Sequence, residues 1–400
     1  VIGEALWGLQ ANLIVSGTVL ALLLQHFGAS ATAIGAIVAI DMGCGLLPQV
    51  FGPFIFISNR HRKRQMVVWH FVAMIPFLGV IAGIAHFGHG AWVVPAILVS
   101  WACFVGAIGL VVPVWIDWLA RLFDKDVRGT LMGLGWGASA GLGIVGALFA
   151  SWLMHLLPEP QVFGVLYALA AVLAYVSIGI FLFIDDPAAT SDAPEPPRPR
   201  PSDLLVSFRA SLAEKNFRSL LVGRALASAG FAIAPFIALH YASTAGGGLS
   251  GASIVAAGAA GTLGTAIGCL TLGRLGDRRG HRPGVLIGLY AQIAALICLL
   301  LIPGMLGILL VFLGAGISGA SVVIAHNNML LESCPHDDRV AHIIVGNLVA
   351  GAVGLLVPLV SGTVVDQWGY MPLFTGSLVI SLAGLFWVLL RVQDPRTASR

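Results

Sequence analysis

The chain has 400 residues, 58% of them hydrophobic and only 10% charged, with a mean hydropathy of +0.95 and a formal net charge of +3. Soluble domains carry about a quarter charged residues, so an ordinary water-soluble fold is excluded. The small positive charge does not point to nucleic acid, because the basic residues are confined to particular gaps between apolar stretches.

A helix that crosses a bilayer takes about 20 apolar residues. Twelve stretches qualify, at 3–27, 32–58, 66–86, 91–116, 129–156, 162–184, 217–243, 250–272, 284–302, 306–331, 342–365 and 371–390. They are continuously apolar rather than alternating, which excludes a β-barrel and predicts an all-α membrane protein. The first is not a cleavable signal, since it lacks a basic start and contains Glu4, Gln10 and Asn12. Val1 as the opening residue predicts that a short stretch precedes it.

Twenty of the 21 Lys and Arg residues fall in alternate gaps. The first such gap holds Arg60, Arg62, Lys63 and Arg64, the next Arg121, Lys125 and Arg128, and the central one Arg198, Arg200, Arg209, Lys215 and Arg218. Arg274, Arg278, Arg279 and Arg282 come after these, then Arg339, then Arg391, Arg396 and Arg400. Basic loops mark the cytoplasmic side, so both termini are expected inside. Arg224 alone lies within an apolar segment.

Of five cysteines, Cys44, Cys103, Cys269 and Cys298 sit in apolar segments and Cys334 in a loop, which offers no disulfide framework. No Cys/His spacing reads as a metal site, and the GxxxxGK[ST] loop of an ATPase is absent. No nucleophile–base pair stands at usable spacing. Neither a cofactor nor an enzymatic activity is expected.

Residues 185–216 divide the chain. Asp185, Asp186 and Pro187 end the sixth segment, five prolines between Pro194 and Pro201 form a stiff, extended linker, and 203–215 reads as a short amphipathic surface helix. The flanking parts, 1–184 and 217–400, repeat each other. His26 matches His240 at an offset of 214 (240 − 26), which sets Gln10 opposite Arg224. Loop 59–65 matches 277–283, and Asp126-Val127-Arg128 mirrors Asp337-Asp338-Arg339. Paired features share a side, so the repeat is parallel: two six-helix bundles about a pseudo-twofold axis along the membrane normal, an arrangement known among secondary transporters.

The loop after segment eight reads Gly273-Arg274-Leu275-Gly276-Asp277-Arg278-Arg279-Gly280-His281-Arg282-Pro283. It resembles the signature loop of the major facilitator superfamily, and with the twelve segments and central linker the resemblance covers the whole chain. The resemblance implies a cytoplasmic gate made by Gly273, Asp277, Arg278, Gly280 and Arg282, with Asp277 latching onto helix eleven. Physically, Gly273 would let helix eight approach a neighbour, Gly276 and Gly280 permit a reversal, and Asp277 can cap a helix or pair with an arginine. The first-half copy has Asn59 for the Asp, Arg62 for a Gly and Ile55 for the leading Gly, so only an orienting role is expected of it. Drug-antiporter branches carry a Gly-Pro run in helix five. Here Gly135, Gly137 and Gly141 lack a proline, which leaves export only slightly favoured.

Two ionisable residues lie deep in apolar segments, Asp41 in the second and Arg224 in the seventh. Such residues mark function by default. Asp41 can take and release a proton and is the proton-coupling candidate; Arg224 stays charged and can grip a carboxylate or phosphate. A structural Asp41–Arg224 ion pair is the alternative. By resemblance, helices one, four, seven and ten line the central cavity, which brings forward Gln10, Asn12, Trp115, Asp117, Arg224, His326, Asn327 and Asn328 for substrate. The last three could equally join helices. Gln292 and Asn347 read as structural, and Trp7, Trp92, Trp152 and Trp368 as interfacial anchors.

The resemblance therefore implies a monomeric, proton-coupled carrier of a small organic solute in a bacterial-type inner membrane, and Arg224 adds the expectation that the solute bears a negative group. An uncoupled facilitator and a non-transporting sensor or assembly partner are the rival expectations.

Overall fold

The computed structural model describes residues 1–56, 61–122, 125–185, 209, 212–333 and 339–394, with backbone alone at 53, 113, 116, 117, 119–121, 125–133, 277, 331 and 339–344. Twelve of its helical spans are long and apolar enough to cross a membrane, and no strand occurs among the described residues. In chain order they are α1 (Ile2–His26), α2 (Ala31–Phe51), α3 (Arg62–Phe87), α4 (Val93–Leu122), α5 (Lys125–Leu156) and α6 (Gln161–Phe183). Then come α7 (Lys215–Ala242), α8 (Gly251–Arg279), α9 (Arg282–Leu301), α10 (Gly304–Leu330), α11 (Arg339–Trp368) and α12 (Tyr370–Arg391). The protein is a multi-pass, all-α membrane protein.

The spans form two compact units: Val1–Ala29 with Ile40–Pro199, and Ser30–Ala39 with Arg200–Arg400. In the first unit, α1 packs on α5 and α6, α3 on α6, and the end of α2 on α4. In the second, α7 packs on α12 and α11, α9 on α12, and α8 on α10. Each unit thus repeats one packing scheme, helix for helix.

Lipid tails are as apolar as leucine, so close backbone approach must hold spans together. A methyl group at Gly8 of α1 would strike the Ser139 carbonyl of α5, and one at Gly316 of α10 would strike the Gly261 carbonyl of α8. Aromatic and branched side chains fill the rest: Phe56, Met66, Val111, Val114 and Trp118 in one unit, and Phe217, Leu220, Val285, Leu289 and Met329 among others in the second.

Several spans depart from regular helix where polar residues sit. The α1 helix stops at Leu13 and resumes as a wide π-turn over Ser16–Leu20. The α7 helix stops at Gly230 and restarts at Ala234 with Pro235 in its first turn, where the missing N–H costs nothing. Further π-turns occupy His70–Met74 of α3, just before Pro76, and Val322–His326 of α10. Such turns re-aim side chains and occur often at functional sites.

Candidate functional site

The π-turn of α1 presents Ser16 to Asp41. Ser16 Oγ donates to Asp41 Oδ2 at 2.6 Å, and Trp101 Nε1 of α4 donates to Asp41 Oδ1 at 2.7 Å. The two donors differ in kind. An indole N–H can only donate, whereas a hydroxyl can turn round and accept. A proton arriving on Oδ2 keeps both hydrogen bonds, with Ser16 reversed; one on Oδ1 would expel Trp101.

In the second unit, Arg224 on α7 is 4% exposed. Its Nη1 donates to Asn327 Oδ1 of α10 at 2.9 Å and its Nη2 to Asn347 Oδ1 of α11 at 3.3 Å. Its Nε is buried without a partner, and no carboxylate pairs with it among the described residues. Neutral amides meet the hydrogen-bonding demand of a guanidinium but leave its charge uncompensated, at a cost of several kcal/mol in a dry interior. His326, at the end of the α10 π-turn and 2% exposed, also has an unpartnered Nδ1 and stands within electrostatic reach of Arg224. Arg224, His326, Asn327 and Asn347 make one cluster that is net positive, with no anion beside it among the described residues.

Asp41 and Arg224 each find their hydrogen-bond partners within their own unit, Ser16 with Trp101 and Asn327 with Asn347. Gln10 is 1% exposed with Oε1 unpartnered. Asn12 donates to Gly8 O at 2.9 Å and Asn328 to Ile324 O at 2.8 Å, each one turn back on its own span. Gln292 bridges Ala227 O (3.1 Å), Ser381 Oγ (2.8 Å) and Ser318 Oγ (3.2 Å), a buried tie among four helices. The Asp117 side chain lies outside the described residues.

Trp115 lines a cavity in the first unit together with Trp7. Trp7, expected as an interfacial anchor, is half-buried, and its ring stands edge-on to buried His70, 6.4 Å between centroids. Trp92, Trp152 and Trp368 are exposed at the ends of their spans. Asn347, read from sequence as structural, holds Arg224. Its sequence signal, an amide deep in an apolar span, is no weaker than that of Asn327.

In the signature loop, Gly280 ends α8 at φ +82°, and a Cβ there would strike the Asp394 carboxylate. Asp394 Oδ2 accepts the Arg282 N–H at 2.8 Å, Arg282 Nη2 donates to Leu389 O at 2.9 Å, and His281 Nε2 meets Glu332 Oε1 at 3.3 Å. Arg282 thus caps the carbonyl end of α12, where a cation is favoured. Gly273 does not serve the close approach expected of it: no described residue lies within 4 Å of an added Cβ. Arg278 is exposed, and the Asp277 side chain lies outside the described residues. The first-half loop does more than orient, since Lys63 Nζ donates to Ile184 O at 2.8 Å and caps the end of α6; Asn59 lies outside the described residues.

A family model described as Major Facilitator Superfamily matches residues 220–400. No curated protein matches the sequence. Among solved structures, a mutant of the nucleoside transporter NupG is similar at TM-score 0.75 and 15% identity, over 98% of this chain and 99% of that one. A D-xylose-proton symporter is similar at TM-score 0.69 and 13% identity, over 98% and 96%. A POT family transporter bound to a thioalcohol-conjugated peptide is similar at TM-score 0.70 and 11% identity, over 97% and 94%. At such identities the likeness is one of fold, and it spans all twelve helices. The family match covers the C-terminal part of the chain, and over its whole length the chain shares the fold of these solved transporters.

Proposed function

We propose that the transported solute is a small organic molecule bearing a carboxylate or phosphate, and that its movement is coupled to protons through Asp41. The uncompensated charge of Arg224 carries this reading: a buried guanidinium with a spare Nε–H, steadied by two amides, is a ready receptor for an oxyanion. His326 and Asn327 join that receptor. Gln10, Asn12, Trp115 and Asn328 belong to the proposed substrate pathway, and Gly273, Asp277, Arg278, Gly280 and Arg282 to a proposed cytoplasmic gate. The pairing of Asp41 with one reversible donor and one fixed donor supports proton uptake at Oδ2. That a D-xylose-proton symporter shares the fold supports coupling by analogy.

Alternating access between bundles 1–184 and 217–400 about the 185–216 linker completes the reading. The loop charges support cytoplasmic termini and an inner-membrane location, with a monomer as the working unit and export slightly ahead of import. The deciding experiment is uptake into proteoliposomes of a panel of carboxylates, phosphates and their neutral analogues. Saturable uptake confined to anions, lost in Arg224→Ala, supports the assignment; uptake of neutral analogues that survives Arg224→Ala refutes it.

A further inference from the structure

The first unit holds a cavity of about 130 Å³ whose lining this reading uses only at Trp115. Its walls come from four spans: Glu4 and Trp7 of α1, His70 of α3, Ile108 and Trp115 of α4, and Phe181 of α6. An engineered apolar cavity of about 150 Å³ takes up benzene, so the space suits a single aromatic ring.

Its chemistry is selective. Three aromatic side chains supply π-faces, which attract cations. No side chain among the described residues is hydrogen-bonded or ion-paired to Glu4, and the one opposite charge it feels there is the Val1 amino group. His70, bonded to Met66 O through Nδ1 at 2.6 Å, lines the cavity as well. The π-turn His70–Met74 forms part of this wall. An anion would be repelled by Glu4, and a neutral hydrocarbon would strip water from the carboxylate without replacing it. A protonated amine satisfies the carboxylate and the rings together.

We propose that this cavity is a second ligand site, distinct from Arg224, for a primary amine borne on a single aromatic ring. The ammonium pairs with Glu4 and the ring lies among Trp7, Trp115 and Phe181. The probe is benzylamine, with benzyl alcohol as its neutral counterpart, titrated calorimetrically into the full chain in lipid nanodiscs against empty nanodiscs.

Wild type is expected to bind benzylamine saturably at one site. Removing the charge in Glu4→Gln should weaken benzylamine about tenfold while benzyl alcohol changes less than about twofold, because only the ion pair is lost. Ile108→Phe fills the cavity and should abolish binding of both probes. Arg224→Ala should leave benzylamine binding unchanged, which separates this proposal from the anion reading. Absence of saturable benzylamine binding to wild type, or equal benzylamine affinity in Glu4→Gln, overturns it. So does wild-type affinity in Ile108→Phe. If Ile108→Phe fails to fold, the Glu4→Gln comparison decides alone.

Discussion

Asp366, near the end of α11, accepts both the backbone N–H of Thr32 at 3.0 Å and its hydroxyl at 2.6 Å, and a third bond from Ala31 N–H at 3.0 Å. It thereby caps the first turn of α2 from a residue more than 300 positions away. Gly362 meets Thr32 in the same place, and Gly35 meets the Pro358 carbonyl, so a side chain at either would force the helices apart. This cluster explains why Ser30–Ala39 groups with the C-terminal spans.

A carboxylate at a helix N-terminus satisfies orphan N–H groups and meets the positive end of the dipole, contributing about 1 kcal/mol, less when exposed to salt. Asp366→Ala is therefore expected to raise amide hydrogen exchange at the first turn of α2 with little change elsewhere. Unaltered exchange there would show that the cap contributes nothing measurable.

Arg224 sets function against stability. Replacing it with Met removes a charge that no carboxylate among the described residues neutralises, so the apo protein should melt no lower than wild type. Anion uptake should vanish. Lys in its place should also fail, because a compact ammonium cannot hold Asn327 and Asn347 with two nitrogens and keep a third donor for the solute. A large drop in melting temperature for Arg224→Met would mark the residue as structural.

Asp41→Asn places an amide between Ser16 and Trp101 and imitates the protonated acid, with its N–H facing the hydroxyl. Solute exchange at equal concentrations should persist, while accumulation driven by a pH gradient should disappear. If the gradient still drives accumulation, the proton travels elsewhere. If wild type shows no gradient dependence at all, the protein is a facilitator. Trp101→Phe frees Oδ1 for a proton and should alter the pH profile of transport more than its maximal rate.

Arg282→Ala removes a donor to the last carbonyls of α12, and Lys63→Ala does the same for α6. Each should cost about 0.5–1 kcal/mol and loosen exchange only at its own helix end. Equal effects at both ends from either variant would contradict separate caps.

Much of the outline was legible in the chain alone. Span number, helix type and the two-part repeat come from segment length and loop charge, which bilayer thickness and the cost of unpaired backbone groups dictate locally. Arg224 and Asp41 were visible for the same reason: a lone charge in a long apolar run stands out whatever surrounds it. Their partners were not. Ser16 and Trp101 carry no unusual signal, and which of Asn327, Asn328 and Asn347 meets a guanidinium depends on the rotation of α10 and α11 about their axes.

Sequence by itself determined that this protein is a twelve-span membrane helix bundle with one buried cation on α7, because transfer energies act on each segment independently. Tertiary structure alone decided that the cation is held by amides rather than a carboxylate, that Trp7 borders a cavity, and that Asp366 caps α2. Those outcomes depend on rotation and register between distant helices, which side-chain packing selects and no local pattern encodes.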